Sequence, residues 1–222
     1  MIDIKQLENI EQFKYYYELL IQENQKYNLT SITNKEEVYY KHFLDCAKVL
    51  DYVDLSGKTI CDVGSGAGFP GIVLKILCPS LKLYIFEPIG KRCKFLQMVV
   101  NELKLNDVYV INDRAENMLD YREKFDYVFA RAVSKLSMLV EICIPLVKVN
   151  GYFISMKGSN YQDEVNAANN ALNKLDAEID NIITYQLESY GCHSIIKIRK
   201  EKVTNLKYPR PYAKIKNDTL WW

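Results

Sequence analysis

Apolar residues along this chain recur at two periods. In residues 4–27, Leu7, Ile10, Phe13, Tyr17 and Leu20, with Asn24 and Tyr27, fall at three- and four-residue steps. That spacing predicts one amphipathic helix. Residues 28–32 form a polar break. Thr33 and Glu36 then have capping-box spacing, which predicts a second helix reaching to about residue 53. Ser56-Gly57 closes this leading pair. From Thr59 onward, short β-type runs alternate with helical patterns. Strands are predicted at 59–63, 81–86, 108–111, 127–130 and 152–156, the last after a turn at Asn150-Gly151. Helices are predicted up to Pro79 and over 91–105, 135–147 and 162–175. Segments 179–187 and 194–199 alternate about Tyr190-Gly191 and read as a hairpin. The whole predicts an α/β fold, a doubly wound seven-stranded sheet with its last strand antiparallel. Residues 1–55 are expected to form a helical cap and 56–222 the body with its tail.

Composition narrows the class without deciding it. The 222 residues suffice for one α/β domain with an appendage. A hydrophobic share of 49% and a charged share of 26% are ordinary for a soluble globular protein. The net charge of +1 says nothing about nucleic acid, so only its distribution is informative. Cys46, Cys61, Cys78, Cys93, Cys143 and Cys192 lack metal-ligand spacing. They read as reduced core residues, with a reactive cysteine as the alternative and no metal expected. Polar sequence follows Met1, and no apolar run approaches the ~20 residues of a membrane span. A cytoplasmic protein with no membrane partner, and a monomer, is expected.

The candidate chemistry centres on residues 60–71. The run Ile60 to Val63 ends in Gly64, Gly66 and Gly68, and a helical pattern follows. Strand, glycine turn and helix present a nucleotide-sized ligand at the carboxyl end of a sheet. A plain tight turn is the alternative. A dinucleotide fingerprint needs glycine where Phe69 stands, and no Lys-Ser/Thr pair follows for a Walker loop. Asp62, just before the glycines, repels a pyrophosphate and attracts a cation. The ligand that fits has an ammonium, an adenosine and no phosphate, which is S-adenosylmethionine.

Further residues extend this reading. Glu87 ends the second strand, where a carboxylate accepts both ribose hydroxyls. It serves any adenosine ligand, or is a solvated acid. Glu116 can accept from an adenine amino group while the small Ala115 leaves room for the ring. Strand four ends in Arg131-Ala132-Val133, with neither an Asn/Asp-Pro-Pro-aromatic motif nor a Pro-Cys pair. These absences favour an acceptor atom that needs no deprotonation and no covalent intermediate, such as guanine N7. Arg131 suits the donor's carboxylate or an RNA phosphate. His42 reads as a hydrogen-bonded packing residue or as a substrate contact. Residues 197–216 hold eight cations against Glu201, with Tyr208, Tyr212 and Trp221-Trp222 nearby. This is an RNA-contacting tail or a solvated basic edge.

With these residues in view, the chain resembles the glucose-inhibited division protein B family, the small-subunit ribosomal RNA guanine-N7 methyltransferases. The likeness runs through Asn28-Leu29-Thr30-Ser31-Ile32, His42-Phe43-Leu44-Asp45, the 62–71 loop and Glu87-Pro88. It continues through Arg114-Ala115-Glu116, Arg131-Ala132-Val133, Lys157-Gly158 and Tyr208-Pro209-Arg210. The resemblance implies a class I S-adenosylmethionine-dependent methyltransferase fold. It implies donor contacts at Gly64, Phe69, Ala115, Glu116 and Arg131, joining Asp62, Gly66 and Glu87. The implied acceptor is a guanine in the 530 loop of 16S rRNA, position 527 in standard numbering, on naked RNA or the small ribosomal subunit. Asn28, His42, Lys157, Tyr208 and Arg210 are the implied substrate-side positions. No catalytic residue is assigned; Arg131, Lys157, Asn28 and His42 are the candidates. The chain departs from the family pattern at Glu23, at Cys46 and in its tail beyond Pro211.

Overall fold

The computed structural model describes residues 2–220. Trp221-Trp222, expected as stacking aromatics, lie outside the described residues. The helix expected over 4–27 is two helices, α1 (Ile4–Glu8) and α2 (Glu11–Tyr27). Asp3 opens α1 in a capping box with Gln6, and the N–H of Asn9 closes it on Leu7 and Lys5 carbonyls. The break rotates the buried face. Phe13, Tyr16, Leu19 and Leu20 are buried, and Tyr17 is half-buried.

Asn34, rather than Thr33, caps α3 (Lys35–Val38), accepting from the Glu37 N–H at 3.2 Å. The helical run continues through a π turn at Tyr39–Leu44, α4 (Asp45–Ala47) and a 3-10 turn at Lys48–Asp51. A π turn inserts an extra residue and re-aims the side chains beyond it. Its residues include His42, and Asp45 follows it directly. Phe13, Tyr16 and Phe43 share one buried cluster with Phe69 and Ile72. Cap and body therefore bury a common core.

The sheet has seven strands: β1 (Thr59–Val63), β2 (Lys82–Phe86), β3 (Val108–Ile111), β4 (Phe125–Arg131), β5 (Val147–Lys157), β6 (Ala177–Gln186) and β7 (Cys192–Lys200). Their order is β3-β2-β1-β4-β5-β7-β6. Strands β1 to β5 pair in parallel, and β7 runs antiparallel between β5 and β6. Asn150-Gly151, expected as a turn, lies inside β5. Asn150 takes φ 65°, and a register shift faces it between Phe125 and Tyr127, so the turn signal marks a bulge.

Strand residues alternate between two cores. Ile60 joins the cap with α5 (Gly71–Leu77) and α6 (Gly90–Glu102), while Cys61 and Val63 join the opposite cluster. That second cluster holds α7 (Leu136–Cys143), α8 (Tyr161–Lys174) and α9 (Tyr212–Asn217). Strand order reverses between β1 and β4, which opens a crevice at their carboxyl ends. All six cysteines are free, and Cys192 is exposed rather than in the core because it starts β7 at the hairpin. Among the described residues, no helix is long and apolar enough to cross a membrane.

Candidate functional site

The glycine loop leaves β1 with Gly64 at φ 68°, where a Cβ would stand 2.9 Å from a Val133 methyl. At Gly68, φ 103°, a Cβ would strike the Tyr16 hydroxyl and Ile72. That hydroxyl donates to the Ala67 carbonyl, so the cap holds the loop directly. Asp62 is fully buried beneath the loop rather than on a cavity wall. Its Oδ2 accepts from the Ser65 hydroxyl at 2.6 Å and the Gly71 N–H at 2.8 Å. Burial raises its pKa to about 6 against those hydrogen bonds. Its other oxygen, Oδ1, is buried with no hydrogen-bond partner. Glu87 braces the same loop: Oε2 accepts from the Gly66 N–H and Oε1 from the Ile89 N–H, each at 2.9 Å.

A cavity of about 200 Å³ opens beside the loop at the strand ends. Gly64, Glu87, Ala115 and Glu116 line it, as the sequence led one to expect. Pro88, Ile89, Arg92, Val133, Ile142 and Tyr212 line it too. Pro88, Val133 and Tyr212 stand in stretches named from the sequence, whereas Ile89 and Ile142 carried no local signal. Arg114 lies over the Tyr212 ring at 4.1 Å, which fixes that aromatic at the cavity. Glu116 Oε1 is buried without a hydrogen-bond partner. Arg114 Nη1 stands 3.6 Å from that oxygen, an ion pair without a hydrogen bond, and apolar walls with two carboxylates fit an adenosine that brings its own donors. Phe69 is not on this wall. Its ring stacks on His42 at 4.4 Å, inside the cap cluster.

A second cavity of about 330 Å³ adjoins the first and shares Ala132 and Ser134 with it. Ala132 takes φ 55°, a left-handed conformation that costs a non-glycine residue energy. Arg131, Lys157, Asp45, Glu164 and His193 line this cavity. Arg131 Nε donates to Asp45 Oδ2 at 2.8 Å, and its guanidinium also donates to the Lys41 carbonyl. Asp45 is a hub. Its Oδ1 accepts from the Tyr185 hydroxyl at 2.6 Å and pairs with His193 Nδ1 at 2.8 Å. Burial opposes ionisation of Asp45, yet the His193 hydrogen bond and the Arg131 charge hold it below its usual pKa.

His42 lies between Arg131 Nη1 at 3.5 Å and the Thr30 hydroxyl at 3.1 Å. Burial, then the Arg131 charge, lowers its pKa to about 4. A neutral ring accepting from Arg131 at Nδ1 carries its proton on Nε2 and donates to Thr30. Lys157 Nζ donates to the Ser134 carbonyl and to Glu164 Oε2, both at 2.6 Å. Asn28 is exposed at the end of α2, in the left-handed conformation of a helix cap.

The tail is placed differently from its sequence reading. The Tyr208 side chain is buried in the second core and is not presented for stacking. Arg210 grips the fully buried Glu141 with two bonds of 2.8 Å and also holds Asp218. Lys197, Arg199, Lys200 and Lys202 pair with Asp180, Glu178, Glu123 and Asp176. Lys200 is buried outright. Lys200 and Arg210 thus tie the hairpin and tail to Glu123 and Glu141 of the body, while Lys197 and Arg199 pair within the hairpin. Among the described residues, Tyr212 is the tail aromatic that reaches a cavity.

The family model described as rRNA small subunit methyltransferase G matches residues 9–190. The chain belongs to this family. Curated relatives named ribosomal RNA small subunit methyltransferase G agree. One from Oceanobacillus iheyensis is 46% identical over 90% of this chain and 86% of its own length. Another, from Bacillus subtilis, is 45% identical over the same shares. Among solved structures, a SAM dependent methyltransferase from Aquifex aeolicus has a TM-score of 0.58 at 18% identity. It covers 77% of this chain and 96% of that one. M. jannaschii TYW2 in complex with AdoMet also has a TM-score of 0.58, at 15% identity, covering 71% and 76%. At such identities the likeness is one of fold, and the methyltransferase G family shares it.

Proposed function

We propose that this protein transfers the methyl group of S-adenosylmethionine to N7 of a guanine in the 530 loop of 16S rRNA. The observation that carries this reading is the pair of adjoining cavities separated by Ala132 and Ser134. One fits the donor and the other an acceptor base. The donor supplies an electrophilic methyl on a sulfonium, and N7 offers a lone pair without losing a proton. No general base is required, and positioning carries the catalysis, up to ~7–11 kcal/mol.

Glu87 and Glu116 are the residues that would take the ribose and the adenine amino group. The Gly64 backbone, pressed by Val133, leaves room for the donor's reactive end. Asp62 orders the loop from below through the Ser65 hydroxyl and the Gly71 N–H. Arg131, held by Asp45 and Lys41, presents a fixed guanidinium at the acceptor cavity. Lys157 stands across from it. The purine becomes cationic on methylation, so the pairing of both cations with carboxylates limits repulsion. The acceptor is a cytoplasmic RNA or small-subunit particle, met by a monomer. Borohydride–aniline cleavage of 16S rRNA tests the reading. Cleavage at the 530-loop guanine should vanish when the gene is deleted and return with the wild-type chain. Cleavage that persists in the deletion strain sinks it.

A further inference from the structure

The second cavity contains a paired hydrogen-bond donor and acceptor that complement the Watson–Crick edge of guanine. Glu164 sits in the first turn of α8 and Lys157 ends β5. Glu164 Oε2 is locked by two donors, the Leu136 N–H at 2.7 Å and Lys157 Nζ at 2.6 Å. The first of these is an otherwise orphaned donor at the start of α7, so the carboxylate is fixed by backbone as well as by charge. Its other oxygen, Oε1, accepts no hydrogen bond among the described residues, and the side chain is 32% exposed in the cavity. Lys157 uses two of its three N–H donors, on Ser134 and Glu164. One N–H remains.

The outcome is an ammonium donor beside a carboxylate acceptor, held in place before any base arrives. Guanine presents the complement along its Watson–Crick edge: O6 accepts, and N1–H and the 2-amino group donate. Adenine presents the reverse, a 6-amino donor and a bare N1. Resting on the guanine-N7 reading above, we propose that Lys157 and Glu164 together read the acceptor's Watson–Crick edge. Lys157 donates to O6, and Glu164 Oε1 accepts from N1–H and the 2-amino group. The base must be unpaired to be read this way, as when a nucleotide is turned out of its stack. N7 lies on the Hoogsteen edge beside O6 and stays free for attack. Because the ring gains positive charge at N7, N1–H becomes more acidic and its bond to the carboxylate tightens in the transition state. Glu164 thereby contributes to rate as well as to selection.

The test uses the full-length protein and acceptor RNA carrying guanine or inosine at the target position. Inosine lacks only the 2-amino group. Wild type should prefer guanine by about tenfold or more in kcat/KM, the scale of one hydrogen bond to a charged group. In Glu164→Gln, Leu136 and Lys157 hold the amide oxygen, so the NH2 faces the base and meets its donors. The preference should fall to about twofold or less, while calorimetric affinity for S-adenosylmethionine stays as in wild type. Glu164→Ala gives the same ratio and serves if Glu164→Gln does not fold. Equal use of both bases by wild type, or a wild-type preference in the variants, overturns the assignment. A wild type that forms no N7-methylguanine at all instead overturns the functional reading beneath it.

Discussion

His42 and Asp62 are both shifted by burial, and their effects on stability run in opposite directions. His42 falls from 6.5 to about 4, through burial and then the Arg131 charge. Its contribution is complete above pH 6.5 and is lost as pH falls toward 4. Asp62 rises from 3.8 to about 6, chiefly through burial. Its contribution is complete below pH 3.8 and is lost as pH rises through 6. Each span is worth on the order of 3 kcal/mol. Urea unfolding at pH 4.5 and pH 7 separates them. Relative to wild type, His42→Gln should gain stability as pH drops, and Asp62→Asn should lose it. A pH-independent difference for both contradicts these protonation states. Arg131 and Asp45 form a buried pair at 2.8 Å. Arg131→Met leaves the buried Asp45 Oδ2 without its partner and should cost about 3 kcal/mol. Adding Asp45→Asn should return at least about 1 kcal/mol, with activity still lost. Additive losses in that double-mutant cycle argue against the pair.

At the scale of elements, the parallel strands were the most legible part. Strands β1 and β3 match their expected bounds because both are short β-type runs between clear breaks. The split between α1 and α2 was not legible, since Ile10 continues the apolar periodicity through it. The π turn was equally silent: it changes which way His42 and Asp45 point without changing composition. Glu87 and Glu116 were named because each follows a legible strand, and both line the first cavity. The Asp45–Tyr185–His193 hub was missed because it joins the cap to a distant hairpin. The tail illustrates the limit of charge counting. Arg210 was expected on the substrate side, and in the structure it pairs with Glu141 of α7. Arg210→Met should therefore expose the segment after β7 to limited proteolysis and weaken hydrogen-exchange protection there. If Arg210 instead served RNA alone, proteolysis would be unchanged and the slope of log affinity against log salt would fall by about one.

The whole molecule is one sheet whose two faces are buried by different means. The cap and α5–α6 cover one face, and α7–α9 with the tail cover the other. Each side also sends residues to the site. The cap contributes His42 and Asp45, the hairpin His193, and the tail Tyr212. The first cavity opens at the ends of β1, β2 and β4, and the second lies beside it at the ends of β4 and β5. The account rests on two cavities that divide the reaction between donor and acceptor. Its most direct test is mass spectrometry of nucleosides from small subunits of a deletion strain, after incubation with the purified protein and S-adenosylmethionine. The account predicts one N7-methylguanosine per 16S rRNA with wild type and at least a tenfold slower yield with Lys157→Met. Methyl groups placed on an exocyclic nitrogen or a ring carbon, or no transfer at all, would contradict it.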